Sequence, residues 1–351
     1  NTAFTEEGLC PACHYREQSK AIDWQERYEI LLDLIKAIKR VPGQYFDCIV
    51  GVSGGKDSTR QALWVRDNLG LKPLLVCLSQ PPQKVNQLGV DNISNLIGMG
   101  FDVVLLSPAP ETWRQLMRES FFKFTNWARS TELTLFGTVP RLAIKYQIPL
   151  IFWGENPALQ VGDMRTMGRN GYDGNNLRHS NTLSSGHAWM LEAGYENHKI
   201  LPYIYPSSEE FDAAKVQIIY LGWFMGDWGL VQNAAYSCPV GLHIRAESPE
   251  ETGDLYGLSN LDEDWHNMNQ MVKYLKFGFG KVTEYVNEEL RMGVMDRSTA
   301  IALVEQYDGK CSDKYIDSFC EFIKITRQEF WSHVHGAMNR DLFELDSSGA
   351  V

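Results

Sequence analysis

The 351-residue chain predicts an α/β fold: a doubly wound parallel sheet with helices on both faces, a mainly helical C-terminal part and a small N-terminal Cys-x-x-Cys knuckle. Two observations predict the sheet and its helical partner. Apolar runs of strand length (Phe46–Val52, Pro73–Ser79, Phe101–Ser107 and Pro149–Gly154) alternate with helical patterns at about 58–68, 86–99 and 111–127. Strands that are apolar at every residue are buried on both faces, which is what crossover helices produce. From about residue 262 the pattern is helical; Ala300, Leu303, Val304 and Tyr307 form one stripe that Gly309 ends.

Taken in order, Cys10-Pro11-Ala12-Cys13 leads into a helix with Trp24, Tyr28, Leu31, Leu32, Ile35 and Ile38 on one face. Val41-Pro42-Gly43 stops it. In the 111–127 helix the inward stripe is Trp113, Leu116, Met117, Ser120 and Phe124. After Gly154 the texture changes: residues 155–206 are rich in Gly, Asn, Arg and His and show little periodicity. A polar stretch of that length in an enzyme is functional or disordered. Ser207-Ser208-Glu209-Glu210 fits a capping box and starts the next helix. The expected division is 1–22 for the cysteine segment, 23–206 for the α/β domain with its long loop, and 207–351 for the helical part.

A formal net charge of −11 argues against a nucleic-acid or membrane-surface binder, because anionic backbones reward a basic face. A local basic pocket for a phosphorylated small molecule stays open. No apolar run approaches the roughly 18–20 residues of a membrane span, and no signal-peptide pattern opens the chain. Seven scattered cysteines, with Cys48 and Cys77 inside apolar runs, suit a reducing compartment, by default the cytoplasm. The first residue is Asn1, so the natural chain is expected to begin earlier.

The strongest chemical signal is the stretch from Asp47 to Thr59, where an apolar strand runs through Val52 into Ser53-Gly54-Gly55-Lys56-Asp57-Ser58 and then a helix. Two glycines permit a sharp turn that aims backbone N–H groups inward, and the helix adds its positive end. Together they make an anion nest. The hydroxyls of Ser53 and Ser58 can donate to phosphate oxygens, and Lys56 adds charge. Asp57 beside polyphosphate makes sense as a Mg²⁺ ligand. The spacing is not that of a Walker A loop, since three residues rather than four separate Gly51 from Gly55, and Asp57 follows the lysine. A bland glycine turn is the alternative.

Ile148 to Pro157 reads as a strand ending in a polar corner, and parallel order brings Glu155 to the same edge as Asp57. Glu155 is either a second metal or ATP contact or a solvated loop residue; Asn156 is a neighbouring hydrogen-bond group.

The Ser-Gly-Gly-x-Asp-Ser arrangement resembles the PP-loop of ATP pyrophosphatases, a superfamily with the adenine-nucleotide alpha hydrolase fold. The wider pattern narrows this: Thr5-Glu6-Glu7-Gly8-Leu9 before the cysteine pair, Ile22-Asp23-Trp24, Trp153-Gly154-Glu155-Asn156-Pro157, Tyr220-Leu221-Gly222-Trp223-Phe224, and Tyr274 to Gly280. Together these look like the N-acetyl sugar amidotransferases of bacterial surface-polysaccharide and flagellin-sugar biosynthesis, over nearly the whole chain. The resemblance implies MgATP as adenylating agent, with the amide oxygen of a nucleotide-linked N-acetyl sugar as the attacking group. Ammonia then displaces AMP to leave an acetamidino group. It also implies a separate glutaminase subunit, which fits a chain that neither begins with a catalytic cysteine nor shows a nucleophile elbow. Catalytic roles fall on Asp57 and Glu155; Val52 to Ser58 bind ATP.

Cys10 and Cys13 have metal-ligand spacing but supply two of the four ligands of a structural zinc site. Zinc ribbon, unliganded pair and redox or sulfur relay all stay open; related proteins carry a second pair upstream. Arg165, Arg169 and Arg178, with His179 and His187, suit carboxylate or diphosphate recognition, or simply populate a flexible loop. Lys273 and Lys276 either reach phosphates or form a solvated helix face. His333 and His335 read as structural. Two rivals are tRNA thiolation, which the acidic charge disfavours, and a non-catalytic nucleotide-binding subunit of a glycan-assembly complex, which intact Asp57 and Glu155 disfavour.

Overall fold

A computed structural model describes residues 4–38, 42–81, 85–155, 171–175, 183 and 186–345. Five strands form one parallel sheet: β1 (Cys48–Val52), β2 (Pro73–Leu78), β3 (Asp102–Leu106), β4 (Leu150–Trp153) and β5 (Gln217–Tyr220). Their order is β3-β2-β1-β4-β5, the doubly wound arrangement expected from the sequence. The sheet has one strand more than the four apolar runs predict. β5 is only four residues long, but it is apolar enough to be buried from Ile218 to Tyr220.

Both faces of β1, β2 and β4 are covered, whereas β3 at the edge is partly exposed, contrary to the burial its apolar run predicts. Cys48, Val50, Val52, Leu75, Cys77, Leu150, Phe152 and Ile219 face one core cluster. That cluster takes Leu31 from α2 (Trp24–Ala37), Ala62, Leu63 and Val65 from α3 (Lys56–Leu69), and Ile93 and Leu96 from α4 (Gln87–Gly98). Alternation of side chains along each strand turns Ile49, Gly51, Ile151 and Trp153 the other way. There Phe136 of α6 (Ala128–Tyr146) meets Trp153 edge to face with ring centroids 5.6 Å apart. Gly51 must lack a side chain, because a Cβ would come within 2.5 Å of the Trp153 ring.

The Cys-x-x-Cys knuckle is a helix start. Cys10 is the N-cap and Pro11 the first residue of α1 (Pro11–Ser19), and the Cys10 sulfur accepts from the Cys13 N–H at 3.5 Å. α2 follows as a separate helix capped by Asp23, whose Oδ1 accepts from Gln25 and Glu26. The capping box at Ser207 is formed, with the helix running from Ser208 to Ala214.

Two compact units emerge: Asn1–Gln80, Gln87–Pro108 and Glu132–His243 contain the sheet, while Pro81–Asn86, Ala109–Thr131 and Ile244–Val351 form a second unit whose described residues include helices and no strand. α5 (Pro110–Phe124) belongs to the helical unit. There Phe121 stacks on Phe330 at 5.4 Å and meets Phe319 edge on. The inward stripe is Trp113, Leu116, Met117, Ser120 and Phe121, so Phe121 takes the place assigned to Phe124. The helix at Ser298 spans Arg297–Tyr307, and Ala300, Leu303, Val304 and Tyr307 pack with Val282 and Val286. No described helix is long and apolar enough to cross a membrane.

Candidate functional site

The strand order reverses at β1, whose neighbours are β2 on one side and β4 on the other. Ligands of doubly wound folds bind beyond the carboxyl ends of the strands at such a point. The loop Ser53–Ser58 leaves β1 there. β4 pairs with β1 as Ile49 to Ile151 and Val50 to Phe152, and continuing that register sets Ser53 level with Glu155. The two carboxylates predicted to share an edge, Asp57 and Glu155, are electrostatic neighbours.

The loop is built as a cradle. Gly54 has φ +79°, a left-handed conformation that suits glycine, and a Cβ there would meet the Asn92 Cβ at 3.0 Å. Gly55 is the N-cap of α3 and offers no side-chain cap, so the first N–H groups of the helix are left for a ligand. The Ser58 hydroxyl donates to Gly55 O at 3.2 Å and accepts from Ser53 N–H at 3.4 Å, which closes the turn. Lys56 is buried to 8% exposure, and its ammonium donates to Asp57 Oδ2 at 2.9 Å.

Three residues that the sequence reading did not single out complete the surroundings. Asn233, on the helix Leu230–Ser237, donates to Asp57 Oδ1 at 2.6 Å. Ser237, one turn later, donates its hydroxyl to Lys56 O at 2.8 Å. Arg60, one turn after the loop, donates to Asn233 Oδ1 at 2.8 Å and to Asp227 O and Oδ2 at 2.9 and 2.6 Å. Arg60 sits three residues beyond Asp57 between Thr59 and Gln61, and in that polar stretch nothing local marks it. Asn233 and Ser237 are brought in by β5, and nothing in their own neighbourhood in the sequence marks them.

At the end of β4, Gly154 lies against Gln61 and Trp228; a Cβ would meet Gln61 Oε1 at 2.8 Å and the Trp228 ring at 3.0 Å. Glu155 Oε2 is buried and, among the described residues, has no hydrogen-bond partner. Burial first, and then the charge of Asp57, push the Glu155 carboxyl up to about 7. Asp57 already pairs with Lys56, whereas a divalent cation would supply charge beside Glu155 and a partner for its open oxygen. Asp57 and Glu155 are the residues that would hold it.

The other predicted residues fall as follows. Arg165, Arg169 and Arg178, with Asn156, Pro157 and His179, lie outside the described residues. Of the stretch 155–206, residues 171–175 add an antiparallel bridge, Asp173 to Ile219, and Asn175 brackets β5 through Val216 O and Ile218 N. Gly171 and Gly174 are packed, since a Cβ would strike Trp223 at 2.5 Å and Ile218 at 2.4 Å respectively. Residues 188–203 hold two short helices and a 3-10 turn, with Trp189 and Met190 buried. His187 is drawn below the usual histidine range by burial. Lys276 belongs to the helical unit, where its ammonium donates to Phe124 O at 2.8 Å and Thr125 O at 3.4 Å. Lys273 lies in an ion pair with Glu284, which Lys281 also engages.

For zinc, no group of three or more His, Cys, Asp or Glu that could hold a metal occurs among the described residues. Cys10 and Cys13 are the N-cap and N3 residues of α1, which stand as neighbours there.

Comparison with curated proteins finds no match. The solved structure of NMN synthetase from Francisella tularensis is similar over 39% of this chain and 56% of that one, so little more than half of that chain is matched. Identity is 16% and the TM-score 0.29. Residues 255–350 match the family model described as LPS biosynthesis protein WbpG-like, C-terminal domain. That segment thus resembles the C-terminal domain of WbpG-like LPS-biosynthesis proteins, and the match supports the sugar-amidotransferase family to which the combination of motifs, from the loop at 53–58 through 153–157 to 274–280, pointed.

Proposed function

We propose that the chain is an ATP-dependent sugar amidotransferase of surface-glycan biosynthesis. The observation that carries this reading is the placement of the Ser53–Ser58 cradle, Asp57 and Glu155 together at the point where the sheet reverses. The WbpG-like match at residues 255–350 supports the glycan context.

In this reading the cradle grips the β- and γ-phosphates as leaving group. Lys56 and the amides at the start of α3 hold the charge that develops there. Mg²⁺, held by Asp57 and Glu155, would withdraw charge from the phosphates. The acetamido oxygen attacks the α-phosphorus, the bond to pyrophosphate breaks, and the amide N–H proton is lost to give an O-adenyl imidate. Ammonia adds to the imidate carbon and AMP leaves with the C–O bond, so oxygen is exchanged for NH. Arg165, Arg169 and Arg178 are proposed contacts for the anionic parts of the nucleotide sugar. A separate glutaminase is the proposed ammonia source.

The test is a mass-spectrometric screen of nucleotide-linked acetamido sugars with MgATP and ammonium. The product loses about one mass unit, as O becomes NH, with one AMP and one pyrophosphate formed per turnover. Pyrophosphate release that no acetamido sugar stimulates would refute the reading. Arg165→Ala, Arg169→Ala and Arg178→Ala are expected to raise the sugar KM more than the ATP KM.

A further inference from the structure

We propose that Asn233, itself held by Arg60, is a positioning residue that fixes the direction in which Asp57 presents its carboxylate to the metal; this rests on the ATP reading above. A guanidinium has donors only, so the Asn233 amide must turn its oxygen toward Arg60. Its nitrogen then faces the other way and donates to Asp57 Oδ1 at 2.6 Å. The amide orientation is therefore set by chemistry, because the flipped amide would oppose donor to donor.

Arg60 is in turn fixed at its far side. Its two terminal nitrogens hold Asp227 O and Oδ2 at 2.9 and 2.6 Å, and its guanidinium lies over the rings of Trp228 and Tyr236 at 5.5 and 5.3 Å. Arg60 is 4% exposed and Asn233 1%, whereas the Asp57 side chain they serve is 45% exposed. Burying an arginine and an asparagine is costly unless both are satisfied. A bond to a half-exposed carboxylate adds little stability. What the chain Asp227–Arg60–Asn233 supplies is direction: Asn233 takes Oδ1 and Lys56 takes Oδ2 at 2.9 Å, which stops Asp57 from rotating. Asn233 and Ser237 stand four residues apart on one helix face, so the same helix also grips Lys56 through its carbonyl.

The experiment uses the full chain. Mn²⁺ binding is followed by electron paramagnetic resonance with a non-hydrolysable ATP analogue, beside the metal-free Tm and the Mg²⁺ dependence of pyrophosphate release. Asn233→Leu is expected to weaken Mn²⁺ about 10–100-fold, the range for losing an outer partner of a metal ligand. Its kcat at saturating Mg²⁺ should change far less, while its metal-free Tm falls because the buried Arg60 loses an acceptor. Asp227→Ala, at the exposed end, should keep the fold and shift Mn²⁺ affinity in the same direction by a few-fold. Wild-type Mn²⁺ affinity in Asn233→Leu overturns the proposal, and if that variant does not fold, wild-type affinity in Asp227→Ala does so. A chain that binds Mn²⁺ through this relay but amidinates no sugar overturns the substrate reading alone.

Discussion

Asp57 and Gly54 show how far single residues decide the chemistry. Asp57→Asn keeps the shape but removes the charge opposite the polyphosphate and turns one of the two acceptors, toward Lys56 or Asn233, into a donor. Pyrophosphate release should fall by more than ~100-fold with the fold intact, on the scale of losing one preorganised charged group. Turnover near the wild-type rate would remove the metal role. Gly54→Ala strains a backbone at φ +79° and pushes a Cβ toward Asn92, which itself brackets His243 through both ends of its amide. It should cost about 1–2 kcal/mol of stability and weaken ATP binding, measured by denaturant unfolding and calorimetric titration. The loop residues were legible in the sequence because the motif is contiguous: strand, two glycines, helix. Glu155 was legible because parallel strands end at one edge. Arg60 and Asn233 were not, because their meaning lies in a hydrogen bond between residues 173 positions apart.

Elements were read well where burial dominates and poorly where the element is short or composite. β1, β2 and β4 are buried along their whole length, and their apolar runs gave them away. β5 escaped because four residues give no period, and α6 because a proline at 140 interrupts its pattern. The cysteine pair, open in sequence to zinc, an unliganded state or a relay, stands at the start of α1, with Cys10 as N-cap and Pro11 at the first position. In the helical unit the turn before the helix Trp265–Phe277 holds a buried acid. Arg245 spends its guanidinium on Asp264 at 2.6 Å and on Asn260 O at 2.8 Å, while burial pushes Glu263 up to about 8. Between about pH 4.5 and 8 the folded state holds a proton there that the unfolded state does not. Stability therefore falls as pH rises through that window. Glu263→Gln removes the titration, so the Tm of the wild type relative to the variant should decline from pH 5 to pH 8.5. A pH-independent difference would show that the acid is ionised throughout.

At the scale of the whole molecule, the proposed ammonia supply makes a prediction about the isolated chain. Glutamine alone should give no amidinated product, whereas ammonium at high concentration should; efficient glutamine-dependent turnover without a second protein would contradict it. The −11 net charge likewise predicts no shift of tRNA in a gel at physiological salt, the outcome that separates this chain from a thiolation enzyme.

The helical unit is assembled from three separate pieces of chain, with α5 lying some 200 positions before Phe319 and Phe330, against which its Phe121 packs. During synthesis, then, α5 leaves the ribosome long before its partners exist. Its apolar face of Trp113, Leu116, Met117 and Phe121 must wait through the translation of the rest of the sheet unit. Contacts so distant in sequence are closed late and at an entropic cost that grows with the intervening length. A chain ended after His243 contains every strand of the sheet yet keeps that face without Phe319 or Phe330. It should bind a hydrophobic dye and aggregate on heating, and adding back the segment from 244 onward as a separate polypeptide should suppress both. Dye binding equal to that of the full chain would mean that α5 finds other cover, and that the two units can be made independently despite their interleaved order.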